Sequence, residues 1–155
     1  MASGVEEKEL CALFSKHVDL TNPEKAAAAD DAPIRDAESL DHNIAVICNS
    51  IYEDLTSRQC EFTYQCCLRN ELQDAGVTVH EEVQIRLLYK KRQVGTRRAD
   101  LVLKTPGDGK WAVLELKAVA TGLTTEHMKQ LEFYMHYLDI ATGILINFPH
   151  DSGYP

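Results

Sequence analysis

The stretch RADLVLKTPGDGKWAVLELK, residues 98–117, decides how this chain folds. Two apolar runs rich in Leu and Val flank Thr-Pro-Gly-Asp-Gly, whose residues favour tight turns. That pattern reads as two antiparallel strands joined by a short connection. A turn centred between Gly107 and Asp108 sets Asp100 directly opposite Glu115. Opposed residues of an antiparallel pair point to one face, with side-chain roots about 4.5–5.5 Å apart. Lys117 stands two residues beyond Glu115 and shares that face. A one-residue bulge would break this register, so the grouping of Asp100, Glu115 and Lys117 holds only for regular pairing.

Two carboxylates so placed repel, and one stays protonated unless a cation neutralises the pair. A lysine brings one positive charge. A hard divalent ion such as Mg²⁺ brings two, and it prefers oxygen ligands. Metal, carboxylates and lysine together are the parts that phosphodiester hydrolysis needs. Against this, Glu-Leu-Lys is a common tripeptide, and a solvent-facing acid–acid–lysine cluster is ordinary. Residues 112–116, AVLEL, are apolar except for the glutamate, so the strand reads as interior and its charge calls for a reason.

Working outward, period-two apolar residues Val77, Val79, Val83, Ile85 and Leu87 predict a strand reaching Tyr89. Leu40, Ile44, Ile47, Cys48, Ile51 and Leu55 recur at helical spacing and predict a helix over 39–55. A second helix spans about 60–75 and ends at Gly76, which suits a left-handed cap. Tyr64, Leu68 and Leu72 form its apolar stripe. Glu61, three residues before Tyr64, falls on the core-facing side, where a carboxylate is costly unless paired or metal-bound. It also fits as a first-turn glutamate facing the helix dipole.

Thr124 or Thr125 caps a helix running to about Asp139, with Glu126 in its first turn. Beside its apolar stripe, His127, Gln130, Tyr134 and Tyr137 line a polar–aromatic face, with Gln130 and Tyr134 neighbours at four residues' spacing. Such a face can hydrogen-bond and stack on a nucleotide strand. It is more often plain surface. ATGILINF, 141–148, predicts a last strand stopped by Pro149. The layout is mixed α/β, with helices packed on a small sheet.

Length and composition narrow the class. A chain of 155 residues is one domain's worth, and 45% hydrophobic residues can bury a core. No apolar stretch is long enough to span a bilayer, and the acidic start MASGVEEKEL carries no secretory signal. Five cysteines, an odd number, do not make a disulfide framework. The expected setting is therefore intracellular: cytoplasm or nucleus, with an organelle as the remaining choice. Cys60, Cys66 and Cys67 lack a CxxC pair, so buried thiols are favoured over zinc. His80, His127 and His136 lack metal-ligand spacing.

The net charge of -8 is unevenly spread: residues 1–55 hold 12 acids and 4 bases, residues 56–155 hold 12 of each. Arg86, Lys90, Lys91, Arg92, Arg97 and Arg98 follow one another with no acid between Val83 and Ala99. That strip can bind phosphates, or it is a solvated hairpin. The boundaries drawn are an acidic N-terminal extension over 1–38 and a folded domain over 39–155. Within the extension, residues 4–18 predict a short helix through Leu10, Leu13, Phe14 and Val18, followed by an Ala/Asp/Pro-rich linker. The extension folds back on the domain or docks on a protein partner, and its charge suits it to cover the basic strip.

From about Ile44 to Phe148 the chain resembles the GxxExxY family of the PD-(D/E)XK nuclease superfamily. The resemblance rests on Glu61-Phe-Thr-Tyr64 with Leu68, Glu71 and Leu72. It continues through Arg98-Ala-Asp100, Leu114-Glu115-Leu116-Lys117, Gln130 to Tyr134, and Leu145 to Phe148. It implies a restriction-endonuclease-like core, a four-stranded mixed sheet flanked by helices, and Mg²⁺-dependent cleavage of DNA, or of RNA, with Mn²⁺ as a substitute. It casts Asp100, Glu115, the Leu116 carbonyl and Glu61 as metal ligands and Lys117 as the residue serving the attacking water. Gln130 and Tyr134 correspond to the RecB-type Gln-x-x-x-Tyr motif that helps hold the strand, and Tyr64, Lys91, Arg92, Arg97 and Arg98 join the nucleic-acid contacts. The family's Gly-x-Gly reads Thr56-Ser57-Arg58 here, and its common histidine reads Tyr52. Glycine's backbone freedom is therefore expected to be missing from that loop. Those departures leave a second reading: a nuclease-fold module that binds nucleic acid or a protein without cutting.

Overall fold

Asp36 opens the first long helix, α1 (Ala37–Leu55), through a capping box. Its carboxylate accepts the Ser39 N–H at 2.9 Å, while Ser39 Oγ accepts the Asp36 N–H at 3.1 Å. The helical spacing read from the sequence is the buried face: Leu40, Ile44, Cys48 and Ile51 are all buried. The second helix, α2 (Glu61–Asp74), buries Tyr64, Leu68 and Leu72, and the chain leaves it through Gly76 at φ 90. The third, α3 (Thr125–Leu138), starts at Thr124, which exchanges hydrogen bonds with His127.

The computed structural model describes residues 14–20, 33–105 and 109–151. Five strands form one mixed sheet: β1 (Phe14–Asp19), β2 (Thr78–Tyr89), β3 (Arg92–Lys104), β4 (Lys110–Lys117) and β5 (Thr142–Asn147), in the order β1-β5-β4-β3-β2. The β1/β5 and β5/β4 pairs are parallel, and β4/β3 and β3/β2 are antiparallel. Every residue of β5 is buried. That is why it reads as a continuous apolar run rather than an alternating one. Leu101, Leu103, Leu114, Leu116, Ile144 and Ile146 pack with α1 and α2 on one face. Val102, Val113 and Leu145 pack with Leu131, Tyr134 and Met135 of α3 on the other.

One expectation is corrected. The segment expected to be helical through residue 18 is a strand over Phe14–Asp19, so the sheet has five strands rather than four. Val18 pairs with Ile146 and is buried, as is Leu20. Helical spacing of a few apolar residues lost to the open edge of β5, where backbone pairing and burial come together. Residues 4–13, the linker residues 21–32 and the turn Pro106–Asp108 lie outside the described residues. The register around that turn is nevertheless the one anticipated: Leu101 faces Leu114, Val102 faces Val113 and Leu103 faces Ala112, with a slip only at Lys104/Lys110.

Candidate active site

The β3/β4 ladder stops at Leu101/Leu114, one step short of Asp100 and Glu115. There the side chains replace the missing rung. Glu115 accepts the Asp100 N–H at 2.8 Å, and Asp100 accepts the Leu116 N–H at 2.8 Å. The carboxylates thus cross over, each tied to the other's strand. One oxygen of each is committed in this way, and no described hydrogen bond engages the second.

The β2/β3 pair is irregular at the same level. Val79, Leu101 and Leu103 pack with the α1/α2 core, whereas Val83, Ile85 and Ala99 pack with the α3 core. Register is kept on both sides, with Glu81 facing Leu101 and Val83 facing Ala99. The hairpin therefore turns over between these rungs, at Glu82 and Asp100. Glu82, in the left-handed region at φ 52, supplies the turn. It also separates two adjacent acids. Glu81 is held by Arg69 and Gln65 of α2, while Glu82 adds negative charge beside Asp100 and Glu61.

Electrostatics follow from burial. Glu115 is 2% exposed, and desolvation, then the Asp100 charge, push its carboxyl far above the usual range. Asp100 rises as well, through desolvation first, against the lowering by the Leu116 N–H and Lys117. Glu61, the first residue of α2, is raised to about 7 by desolvation and then by Asp100, with Lys117 opposing. Three carboxyl groups from two strands and a helix thus sense one another and one ammonium. The Lys117 ammonium donates to Gln130 Oε1 at 2.7 Å, and Gln130 Nε2 donates to the Tyr134 hydroxyl at 3.0 Å. The α3 pair read from the sequence as a strand-holding face therefore fixes the lysine.

Other anticipated residues are dispersed. Arg97 and Arg98 are exposed close to Asp100, with Arg98 lying 3.9 Å from Glu82. Lys91 and Arg92 sit at the tip of the β2–β3 hairpin, whose two-residue turn holds Lys90 and Lys91 at φ 50 and 66. Arg92 is eight residues up the strand from Asp100, roughly 26 Å at 3.3 Å per residue. Tyr64 is a correction. It is fully buried, stacked on Phe148 at 4.6 Å and 3°, and its hydroxyl donates to the Thr56 carbonyl, so it cannot touch a strand. Cys60 is also exposed rather than buried, while Cys66 and Cys67 are half-buried.

The sequence reading missed Glu82, because no local pattern announces a left-handed residue inside a strand. It also missed Thr56, which takes φ 64 and ψ -163, a conformation that favours glycine, in the loop expected to have lost that freedom. A third omission is the network beyond Lys117. Asn147 accepts the Val119 N–H at 2.9 Å and donates to Asp19, which accepts the Leu123 N–H at 2.9 Å. These bonds fix the segment between Lys117 and α3 to the edge strand β1.

The donor set fits a hard cation: buried carboxylates held together against their own repulsion, with an unengaged oxygen on Asp100 and on Glu115. Among the described residues, no group of three or more His, Cys, Asp or Glu is placed to hold a metal ion. A family model of the PD-(D/E)XK nuclease superfamily matches residues 38–154. The chain belongs to that superfamily, whose members are generally nucleases. No curated protein and no solved structure matched the chain. No described helix is long and apolar enough to cross a membrane.

Proposed function

We propose that the protein is a metal-dependent nuclease of the GxxExxY type, hydrolysing phosphodiester bonds of DNA, with RNA as the alternative substrate, and using Mg²⁺ with Mn²⁺ as a substitute. The observation that carries this reading is the crossed Asp100/Glu115 pair, Glu115 buried and Asp100 half-buried, beside Lys117 where the ladder stops. Asp100, Glu115 and Glu61 would hold the ion, with the Leu116 carbonyl as a further ligand. When bound, a hard divalent ion supplies Lewis acidity to the phosphoryl group and lowers the pKa of water at the site. Lys117, fixed by Gln130, orients the attacking water and offsets charge developing on the phosphate. Arg97 and Arg98 take neighbouring phosphates, and Lys91 and Arg92 extend that track along the hairpin. In-line attack leaves a 5′-phosphate. An intracellular setting suits such a substrate.

A second reading, binding without cutting, draws on Thr56-Ser57-Arg58 standing where the family has Gly-x-Gly and on an acidic N-terminal extension whose charge suits it to cover the basic strip. Metal dependence separates the two. Labelled single- and double-stranded DNA and RNA are incubated with Mg²⁺, Mn²⁺ or chelator, using wild type, Glu115→Ala and Lys117→Ala. The nuclease reading expects metal-dependent cleavage, lowered about 10²–10³-fold or more in both variants. Intact substrates in every lane, with binding retained, give the case to the binding module.

A further inference from the structure

Next to the carboxylate cluster, α3 and the outer half of the β2–β3 hairpin line an open cleft of about 460 Å³. That volume lies within the roughly 300–1,000 Å³ typical of small-ligand sites. Its apolar walls are Leu87 and Phe133, and Gln130 and Tyr134 line it as well. Phe133 remains 36% exposed, and Tyr137 braces it at 4.8 Å between ring centroids. Arg97 and Lys129 supply positive charge, and Glu126 the negative. Glu126 is itself paired with Lys129 at 3.6 Å, which leaves the exposed Arg97 guanidinium as the unmatched charge of the cleft. Gln130 is common to the cleft and to the Lys117 contact, so a group in the cleft lies one side chain away from the reacting centre.

A flat ring between an aromatic and an aliphatic wall, beside a cation and an amide, describes a nucleobase with its phosphate. A base paired inside a duplex presents only its edges and cannot enter. We infer that this cleft takes a nucleobase turned out of its stack, so the protein acts on a strand that is unpaired where it crosses the site. The substrate class is then single strands, flaps or frayed ends rather than continuous duplex. The inference takes its nucleic-acid substrate from the nuclease reading, yet its test does not depend on cleavage.

Full-length protein is titrated in chelator with oligonucleotides carrying 2-aminopurine, either single-stranded or closed into a fully paired hairpin. Stacking on an aromatic ring quenches this base. The expected result is quenching with the single strand and binding about tenfold or more tighter than to the hairpin. Phe133→Ala should weaken single-strand binding about tenfold and abolish quenching, while Phe133→Trp should keep both. Phe133 is partly exposed and outside the buried core, so both variants are expected to fold, as circular dichroism will show. Equal affinity for paired and unpaired forms, no binding at all, or quenching unchanged in Phe133→Ala overturns the cleft assignment. The same oligonucleotides are then given Mg²⁺ or Mn²⁺. Phe133-dependent quenching without any cutting keeps the cleft and removes the nuclease reading. Equal cutting of both forms, at the same rate in Phe133→Ala, does the reverse.

Discussion

Thr56 carries a backbone conformation at φ 64, ψ -163 that only glycine adopts without strain, at a cost of roughly 1–3 kcal/mol. Its N–H reaches back to the Tyr52 carbonyl at 2.8 Å and its own carbonyl receives the Tyr64 hydroxyl, so the surroundings hold it there. Thr56→Gly should therefore stabilise the protein by about 1 kcal/mol in urea unfolding; an unchanged or lowered midpoint would contradict the strain assignment. A second prediction concerns the tie to Lys117. Tyr134→Phe removes the hydroxyl that anchors Gln130, and cleavage should fall about tenfold, far less than in Lys117→Ala, with thermal stability nearly kept. Among the residues of the site, Asp100, Glu115 and Lys117 were legible because alternation and turn symmetry are written locally. Glu82 was not, since its placement comes from a backbone reversal that the chain makes only when β2 and β3 are paired. Tyr64 was misassigned because a motif position says nothing of depth.

Among the elements, the helices, β2 and β5 emerged close to their observed bounds, since long periodic runs and caps carry their own evidence. β1 did not. Six residues have little intrinsic preference, and what makes them a strand is the partner 128 residues away at Asp19/Asn147. Consequently, deleting residues 1–20 should expose the buried, unpaired edge of β5 and lower solubility and thermal midpoint, rather than merely removing acidic charge from the basic strip. A soluble, equally stable deletion would show that β1 is dispensable. Close packing between α3 and β5 offers another test. A Cβ at Gly143 would collide with Met135 Sδ and come within 3.2 Å of Leu131 Cδ1. Gly143→Val should therefore cost about 1–3 kcal/mol, and cleavage should fall with it because α3 carries Gln130.

For the molecule as a whole, charge distribution was the most informative global reading, because it separated an acidic first third from a balanced remainder that holds the basic hairpin. What composition could not convey is that opposite faces of one sheet bury separate cores, with the carboxylates at the step where one strand pair changes sides. Glu61, Asp100 and Glu115 all have raised carboxyl pKa values in the fold. Each therefore binds its proton more tightly folded than unfolded. Their contribution to stability is fully present below about pH 4 and is lost as pH rises, through about 7 for Glu61. Metal-free wild type should lose thermal midpoint between pH 5 and pH 8 relative to Glu115→Gln, in which that penalty is reduced. At pH 8, added Mg²⁺ should restore wild type by about 2.7 kcal/mol at a hundredfold excess over its dissociation constant, and leave Glu115→Gln nearly unmoved. A parallel pH response in the two proteins would show that Glu115 is not among the groups responsible.

The crossed bonds at the head of β3 and β4 give the protein two built-in reporters. The amide protons of Asp100 and Leu116 each end on a carboxylate of the opposite strand, Glu115 and Asp100 respectively. Their nitrogen–proton resonances should move whenever a proton, a cation or a substrate phosphate redistributes charge there. Occupancy could thus be followed in solution with the substrate unlabelled, and before any bond is cut.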